Sequence, residues 1–423
     1  MIYEYLDDVL RRVEPEDSGH RASYIPQLAD ADPDRLSAAF AMVDGQVYAA
    51  GDHDLEFSIQ SISKPFAYAL ALQDRGLDTV LAKVGVEPSG EAFNELSLEG
   101  GSRRPLNPMI NAGAITTHSL VEAPGVSHGE RLERVVSGLS AFAGRRLSVD
   151  ESVRESELEH AHRNLAIGHM LRSYGILEED PARVVAGYTH QCSMLVSVRD
   201  LALMAATLAN RGVQPVTGEQ VVSPLVARQV LSVMSTCGMY DAAGDWATRV
   251  GIPAKSGVAG GLIGALPGQV GVATFSPRLD AHGNSVRGVS MFERFTSDMG
   301  LHLMDAPVEA RSVIRGQRVI EGERGAVRLI ELQGSIRFAG VERILRDAVG
   351  ATIPESSVAL DTSRVSSIDE VARKMILEAL HRLRQAGHDP ILVDPEGFLL
   401  PLRPANATSF AVVSRLDDAL FVS

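Results

Sequence analysis

The sequence predicts an α+β domain followed by a smaller α/β unit. Segments with the apolar alternation of strands lie near residues 38–60 and again after Lys255, and the chain from about 128 to 235 is patterned mostly as helices. Strands at both ends of a helical middle favour one antiparallel sheet built from the two terminal parts of the domain. The length of 423 residues exceeds that of most single domains, which agrees with a second unit.

The elements of the first domain follow from local signals. AAFAMVD and QVYAAG meet at Asp44-Gly45, which predicts a β-hairpin. A helical pattern then runs from about 62 to 75 and ends at Gly76. In the helical middle, EQVVSPLVARQVLSVMSTCG has apolar residues at helical spacing and ends at Gly238. After Lys255, GQVGVATFSP and VRGVSMFERFT flank a DAHGN turn, which predicts a pair of antiparallel strands.

The predicted organisation is a first domain over residues 1–307, a linker over 308–325 and a second domain over 326–423. The linker prediction rests on VEARSVIRGQRVIEGERG, a polar, Arg-rich stretch with few core positions. Beyond it, strand-like and helix-like segments alternate. One apolar stripe in EVARKMILEALHRLRQAG predicts a helix that covers a sheet. The stripe consists of Val371, Met375, Ala379 and Leu383.

Composition and charge exclude several classes of function. The net charge is −14 and 45% of the residues are hydrophobic, which favours a globular protein that binds neither nucleic acid nor an anionic membrane surface. The first residues, MIYEYLDDVLRRVEPED, lack the regions of a signal peptide, and no apolar run approaches the ~20 residues of a membrane span. Two cysteines form no disulfide framework and no metal cluster. We therefore expect a cytoplasmic protein without a metal or cofactor.

The stretch FSIQSISKPFAYALAL carries the first candidate for catalysis. Ser61 lies three residues before Lys64, a spacing that places both side chains on one face of a helix. Pro65 is tolerated only in a first helical turn, so the helix is expected to begin at about residues 61–63. A neutral lysine could take the proton from the serine hydroxyl, which is a weak nucleophile without a base. The alternative is a serine that only caps the helix, beside a solvated lysine.

Lys255 favours the nucleophile hypothesis. It opens the stretch KSGVAGG, and S-x-x-K followed by K-[ST]-G is the pattern of serine β-lactamases and penicillin-binding proteins. A second cation near Lys64 would lower its pKa, as burial also does. Cys192, in the stretch YTHQCSM, is a lone cysteine and is expected to be an inert, buried thiol.

Seven ordered stretches of the first ~300 residues carry a more specific resemblance. They are ASYIPQLA, FSIQSISKPF, NPMINAGAI, SELEHAHRN, YTHQCSM, CGMYDAAGDWA and AKSGVAGG. Through them the chain resembles the serine-dependent glutaminases, which share the fold of serine β-lactamases and penicillin-binding proteins. The resemblance implies hydrolysis of L-glutamine to L-glutamate and ammonia. It also implies a homodimer or homotetramer.

Carried onto this sequence, the resemblance makes Ser61 the nucleophile and Lys64 its base. The implied substrate-binding residues are Tyr24, Ser61, Asn111, Glu157, Asn164, Tyr188, Tyr240 and Val258. The Glu157 carboxylate suits the substrate's α-ammonium, and the amides of Asn111 and Asn164 suit its α-carboxylate. The N–H groups of Val258 and Ser61 would form an oxyanion hole. Tyr240 or Tyr188 would relay a proton to the leaving ammonia, and Lys255 would be an electrostatic aid to Lys64.

The C-terminal unit resembles a STAS domain through LIELQGSIRF and ALDTSRVSSID. STAS domains occur in anti-sigma factor antagonists and in the tails of sulphate transporters. In the antagonists a phosphorylated Ser or Thr follows the Asp, whereas Glu370 follows Asp369 here. The resemblance therefore implies partner binding, oligomer contact or regulation rather than a phosphorylation switch.

Two further hypotheses stay open at this point. One keeps the fold and makes the chain a hydrolase of β-lactams or peptidoglycan peptides, although such substrates lie outside the cytoplasm. The other is a non-catalytic regulatory or sensor protein that acts through the STAS-like domain. The intact set of Ser61, Lys64 and Lys255 argues against a loss of catalysis.

Overall fold

The chain divides into two compact units, Met1–Asp305 and Ala306–Ser423. The computed structural model describes residues 2–90, 95, 97–305, 312–322, 325–337, 340–341, 344–345, 357–399 and 410–420. No helix within these residues combines the length and apolar character that crossing a membrane requires.

The first unit contains strands and helices in mixed order. Its strands are β1 (Ser37–Met42), β2 (Val47–Gly51), β3 (Phe57–Ser58), β4 (Leu195–Val196), β5 (Ala254–Ser256), β6 (Gly261–Leu266) and β7 (Val270–Phe275). Its helices are α1 (Ile2–Val13), α2 (Pro26–Ala29), α3 (Ser63–Arg75), α4 (Leu77–Leu81), α5 (Asn111–Ser119), α6 (His128–Ala143), α7 (Glu151–Glu159), α8 (His162–Ser173), α9 (Pro181–Cys192), α10 (Val198–Ala209), α11 (Pro224–Cys237), α12 (Ala243–Arg249) and α13 (Val286–Met299). Two short 3-10 turns lie at Gln60–Ile62 and Tyr240–Ala242.

The central sheet joins the early and late strands of the first unit, as predicted. Its order is β2-β1-β7-β6-β5, and every neighbouring pair is antiparallel. The predicted hairpin is confirmed, because Phe40 of β1 pairs with Tyr48 of β2. Successive strand residues face opposite sides. Ala39 therefore lies in a core with α10, whereas Phe40 lies in a second core with α1 and α13.

Helix α3 is buried on all sides, which confirms the helix predicted over about 62–75. Every residue from Ser63 to Leu72 is buried, because α3 packs between α5, α6 and α11. The 3-10 turn at Gln60–Ile62 precedes it, so Pro65 falls in the first turn of α3, where its missing N–H leaves no hydrogen bond unmade. Gly76 ends the helix with a φ of 77°.

The prediction of two antiparallel strands after Lys255 is wrong for the second strand. GQVGVATFSP contains β7, but VRGVSMFERFT belongs to helix α13. The Ser285 hydroxyl accepts a hydrogen bond from the Gly288 N–H and caps this helix. Met291, Phe292 and Phe295 then share one buried face, a spacing of one and three residues that suits a helix better than a strand.

The second unit is a five-stranded sheet with two described helices. Its strands are β8 (Ile314–Gly322), β9 (Gly325–Ile336), β10 (Ser357–Ile368), β11 (Asp389–Val393) and β12 (Ala411–Val413), and its helices are α14 (Glu370–Gln385) and α15 (Leu416–Leu420). The order is β12-β11-β10-β9-β8. Strands β9 to β12 are parallel, and β8 is antiparallel to β9.

The structure corrects two predictions in this unit. The linker predicted over 308–325 contains β8, whose polar composition suits an edge strand with a single neighbour; residues 308–311 lie outside the described residues. The predicted stripe of α14 is confirmed at Ala379 and Leu383. It is wrong in the first half of the helix, where Val371 is 54% exposed and Met375 is only partly buried. Residues spaced four apart drift by about 40° at each step around a helix of 3.6 residues per turn, so four of them do not share one face. The buried residues are Ala372, Ile376, Ala379, Leu380 and Leu383.

Candidate active site

Ser61 lies in the buried 3-10 turn between β3 and α3. The turn is anchored at its start, where the Ile59 N–H donates to the Met194 carbonyl at 2.8 Å. Gln60 has a φ of 50°, which a residue with a side chain rarely adopts. Such backbone strain persists only where the surroundings hold it, and it is concentrated at functional sites. Ser61 itself is 8% exposed.

Lys64 is a buried amine held by two oxygen acceptors. Its Nζ donates to the Met109 carbonyl at 3.0 Å and to Asn111 Oδ1 at 2.7 Å. The Asn107 side chain accepts from the Met109 and Ile110 N–H groups and so shapes the turn that presents both acceptors. Burial lowers the pKa of Lys64 to about 7. A large share of this amine is therefore neutral near neutral pH.

Tyr240 lies between the two buried lysines. Lys255 Nζ donates to the Tyr240 hydroxyl at 2.7 Å, and Lys64 Nζ lies 5.5 Å from the centre of the Tyr240 ring. Burial lowers the pKa of Lys255 well below its usual value, and the charge of Lys64 lowers it further. Burial raises the pKa of Tyr240 despite a hydrogen bond with the Ser61 side chain. Tyr240 also has a positive φ, 55°.

Glu157 is a half-buried carboxylate that accepts from two neutral donors. The Tyr24 hydroxyl donates to its Oε1 at 2.9 Å, and Gln60 Nε2 donates to the same atom at 3.1 Å. Burial raises the pKa of Glu157, although both donors act in the opposite direction. No Lys or Arg of the described residues pairs with this carboxylate. The charge of His160 also lowers this pKa, but it is the smallest of the causes, so the burial of Glu157 is not compensated by a paired Lys or Arg of the described residues.

Asn111 connects Lys64 with the remaining polar side chains. Its Nδ2 donates to Asn164 Oδ1 at 3.0 Å, while its Oδ1 accepts from Lys64 and from the Tyr188 hydroxyl at 3.5 Å. Asn111 begins α5, Asn164 lies in the first turn of α8 and Tyr188 lies in α9. With Lys64 from α3, four helices therefore meet at one asparagine.

Val258 contributes backbone rather than a side chain. It lies in the turn between β5 and β6, and among the described residues its N–H has no hydrogen-bond acceptor. The preceding Gly257 lets this turn approach the 3-10 turn of Ser61, since a Cβ there would lie 3.1 Å from the Ile59 carbonyl oxygen. An N–H without an acceptor beside a candidate nucleophile can stabilise an oxyanion.

The structure brings the predicted site residues together, and sequence reasoning missed several partners. Contacts join Lys255, Tyr240 and Ser61, and others join Lys64 to Asn111. The missed side chains are Gln60, Ser63, Gln191 and His118. Cys192 is buried with a pKa raised by burial to about 11. Within the described residues, no group of three or more His, Cys, Asp or Glu side chains could hold a metal ion.

Comparison with known sequences points to one family. A family model described as Glutaminase matches residues 19–304. A glutaminase from Corynebacterium efficiens is 52% identical over 398 residues, which cover 94% of this chain and 93% of the relative. A glutaminase from Corynebacterium glutamicum is 50% identical over 398 residues, which cover 94% and 95%.

Solved structures give the same result. The crystal structure of a protein called Mglu in its glutamate form has a TM-score of 0.84 at 46% identity and covers 93% of this chain and 98% of that one. A probable glutaminase from Bacillus subtilis has a TM-score of 0.67 at 34% identity and covers 72% of this chain and 98% of that one. The likeness to Mglu thus extends over both units, whereas the Bacillus structure matches a share close to that of the first unit alone.

Proposed function

Because this chain belongs to the glutaminase family, we propose that it hydrolyses the side-chain amide of L-glutamine to L-glutamate and ammonia through an acyl-enzyme on Ser61. The observation that carries the proposal is Lys64, a buried amine with a pKa near 7, three residues after the serine. Burial of this kind turns a lysine into a base at neutral pH.

Lys64 takes the proton of the Ser61 hydroxyl. A neutral amine has two N–H groups and one lone pair. The Met109 carbonyl and Asn111 Oδ1 accept from the amine, so a neutral Lys64 offers its lone pair to the serine proton. The serine oxygen then attacks the amide carbon, and the developing oxyanion accepts from the N–H groups of Ser61 and Val258.

Tyr240 gives the leaving nitrogen its proton. Burial keeps its phenol protonated, and the Lys255 amine donates to the phenol oxygen, which stabilises that oxygen as its proton departs. The C–N bond breaks, ammonia leaves and the glutamyl group remains as an ester on Ser61. Lys64 still holds the serine proton and passes it to the Tyr240 phenolate, so that both groups return to their starting states. Water then attacks the ester as Lys64 takes a proton from it. The ester C–O bond breaks, that proton goes to the Ser61 oxygen, and L-glutamate and the free serine are released. Tyr188 is the second candidate for this relay.

Recognition of the amino-acid end uses the other half of the site. The α-ammonium of glutamine supplies the cation that Glu157 lacks, and Tyr24 and Gln60 hold the carboxylate in place. The amides of Asn111 and Asn164 donate to the α-carboxylate. A site for the product agrees with the glutamate form in which Mglu, a structural relative, was crystallised.

The proposal also assigns a fold to each of the two units and a role to the second unit. The shared sheet and the Ser61, Lys64 and Lys255 set support a serine β-lactamase-like fold for the first unit. Four parallel strands and helix α14 support a STAS-like fold for the second, with partner binding or regulation as its role. The proposal that the enzyme forms a homodimer or homotetramer rests on the family resemblance alone, and the cytoplasmic location stays an expectation from the sequence.

Ammonia release from L-glutamine and L-asparagine, by the wild type and by Ser61→Ala, tests the proposal. We expect turnover of glutamine by the wild type and a loss of at least ~10³-fold in kcat in the variant, since only binding and oxyanion stabilisation remain without a covalent nucleophile. Equal turnover by both proteins would rule out Ser61 as the nucleophile. Covalent labelling of Ser61 by a penicillin, without turnover of glutamine, would favour the β-lactam hypothesis instead.

A further inference from the structure

A chain of buried polar side chains reaches the candidate nucleophile from the protein interior. The Ser63 hydroxyl donates to the Gln60 carbonyl at 2.8 Å, and Gln191 Nε2 lies 3.0 Å from that hydroxyl oxygen. His118 Nδ1 lies 3.0 Å from Gln191 Oε1. Ser63, Gln191 and His118 are all 0% exposed and come from α3, α9 and α5. None of the three is part of the catalytic steps derived above.

The hydrogen bonds that join Ser63, Gln191 and His118 can run in only one direction. A carbonyl oxygen only accepts, so the Ser63 hydroxyl donates to Gln60, and the Gln191 amide donates to Ser63. Gln191 Oε1 then accepts from His118, whose Nδ1 must carry the proton. Burial lowers the pKa of His118 to about 3, which keeps the ring neutral. Its Nε2 has no hydrogen-bond partner among the described residues and faces Gly187, where a Cβ would overlap it.

This series of hydrogen bonds ends at the peptide group that joins Gln60 to Ser61. A trans peptide is planar, and its C=O and N–H point in opposite directions. Holding the Gln60 carbonyl therefore also sets the direction of the Ser61 N–H. The Ser63 N–H donates to the same carbonyl, so this oxygen has two donors from one residue. Such anchoring is needed because Gln60 has a positive φ, a strained conformation that persists only where its surroundings hold it.

We propose that Ser63, Gln191 and His118 are positioning residues that orient the Gln60–Ser61 peptide so that the Ser61 N–H is directed at the oxyanion. The inference rests on the proposed function, in which Ser61 is the nucleophile and its N–H stabilises the oxyanion. His118 sets the orientation of the Gln191 amide, and Gln191 directs the Ser63 hydroxyl to Gln60. The oxyanion exists only during the reaction. Losing the orientation of the Ser61 N–H should therefore lower kcat and leave the binding of glutamate unchanged.

Two variants of the full-length protein test the role of these positioning residues. Ser63→Ala removes the hydroxyl. Gln191→Glu keeps the shape of the side chain but offers Ser63 a carboxylate, which attracts the hydroxyl proton away from the Gln60 carbonyl. We expect each to lower kcat about 10²-fold, the effect of one lost oxyanion donor. The Kd for L-glutamate, measured by calorimetry, should change less than about threefold.

Ser193→Ala is the matched control. Ser193 is 0% exposed and its hydroxyl donates to the Thr189 carbonyl at 2.9 Å, but it contacts none of the three positioning residues through that bond. We expect its kcat to stay near that of the wild type.

Unchanged kcat in both Ser63→Ala and Gln191→Glu would overturn the inference, and so would equal losses in kcat and in glutamate affinity. If one variant fails to fold, as judged by thermal melting, the other decides. An active Ser61→Ala variant would instead overturn the proposed function. An inactive Ser61→Ala beside fully active Ser63→Ala and Gln191→Glu variants would overturn only the inference about positioning.

Discussion

Burial shifts the pKa values in both halves of the candidate site towards the neutral form, but the two halves differ in the hydrogen bonds that act on the charge. In the lysine cluster (Lys64, Lys255 and Tyr240), burial lowers the pKa of both amines and raises that of the phenol, so all three side chains are shifted towards neutrality. In the carboxylate cluster (Glu157, Tyr24 and Gln60), a half-buried acid accepts from two neutral donors. The first arrangement suits proton transfer, and the second suits binding of a cation.

This difference explains how one site can serve both chemistry and recognition. Desolvation without a counter-charge moves a pKa towards the pH at which a base is useful. Hydrogen-bond donors around a buried acid oppose the rise in its pKa while leaving its charge for the ligand. Changes in the lysine cluster should therefore alter kcat, and changes in the carboxylate cluster should alter KM.

The largest effect is expected from Lys64→Met. Removal of the base should lower kcat about 10³-fold, within the range of general base catalysis. The same variant should melt at a higher temperature than the wild type. Burial of an ionisable amine costs stability at and below about pH 7, and this cost vanishes towards the unfolded pKa of about 10.4. The gain in Tm should therefore shrink as the pH rises.

Lys374→Met serves as the control, since this lysine is 67% exposed and pairs with Glu370 on the surface of α14. A Lys64→Met enzyme that keeps more than about a tenth of the wild-type kcat would show that another group is the base.

Glu157→Gln tests whether the carboxylate cluster acts on KM rather than on kcat. Loss of the carboxylate leaves the substrate ammonium without its partner, and we expect KM to rise about 10²-fold while kcat changes little. Glu159→Gln, an exposed position of the same helix, is the matched control. A fall in kcat with unchanged KM would place Glu157 in the chemistry and remove the distinction between the two clusters.

The pH dependence should follow Lys64. Its neutral form is the base, so kcat/KM should be constant above about pH 7 and fall about tenfold per pH unit below it. Ammonia release measured from about pH 5 to about pH 9 checks this.

The Lys255→Met variant shows whether burial or the charge of Lys255 lowers the pKa of Lys64. Burial is the cause that lowers it, so the inflection should stay near pH 7 while kcat falls about tenfold through weaker support of Tyr240. An inflection that moves upward would mean that the Lys255 charge sets the pKa of Lys64, as the sequence suggested.

An effect as small as that of Lys255→Met, but on KM, is expected from Tyr24→Phe. The variant removes one hydrogen bond to Glu157, which corresponds to about a tenfold increase in KM. Tyr3→Phe, which changes a similarly exposed tyrosine that donates to the Val47 carbonyl, should leave KM unchanged. A Tyr24→Phe effect confined to kcat would assign this hydroxyl to proton transfer.

Local signals in the sequence were sufficient for the elements nearest the nucleophile. Asp44-Gly45 specified the hairpin, and Pro65 with the Ser61–Lys64 spacing specified the start of α3, because turn and helix-start preferences act over a few residues. The stretch that forms α13 was ambiguous, since a short apolar run suits a strand as well as a helix. β8 was missed because an edge strand with one neighbour tolerates a polar sequence.

The sequence by itself determined which residue types could act: a serine with a lysine three positions later, a second lysine before a glycine, and the ordered stretches of a glutaminase. Only the tertiary structure decided their chemical state. The pKa of Lys64 depends on water being excluded by segments far away in the chain, and no local pattern reports that exclusion. The path from His118 through Gln191 and Ser63 to Gln60 likewise exists only once α5, α9 and α3 pack together, because each hydrogen bond joins groups that the chain itself does not bring near.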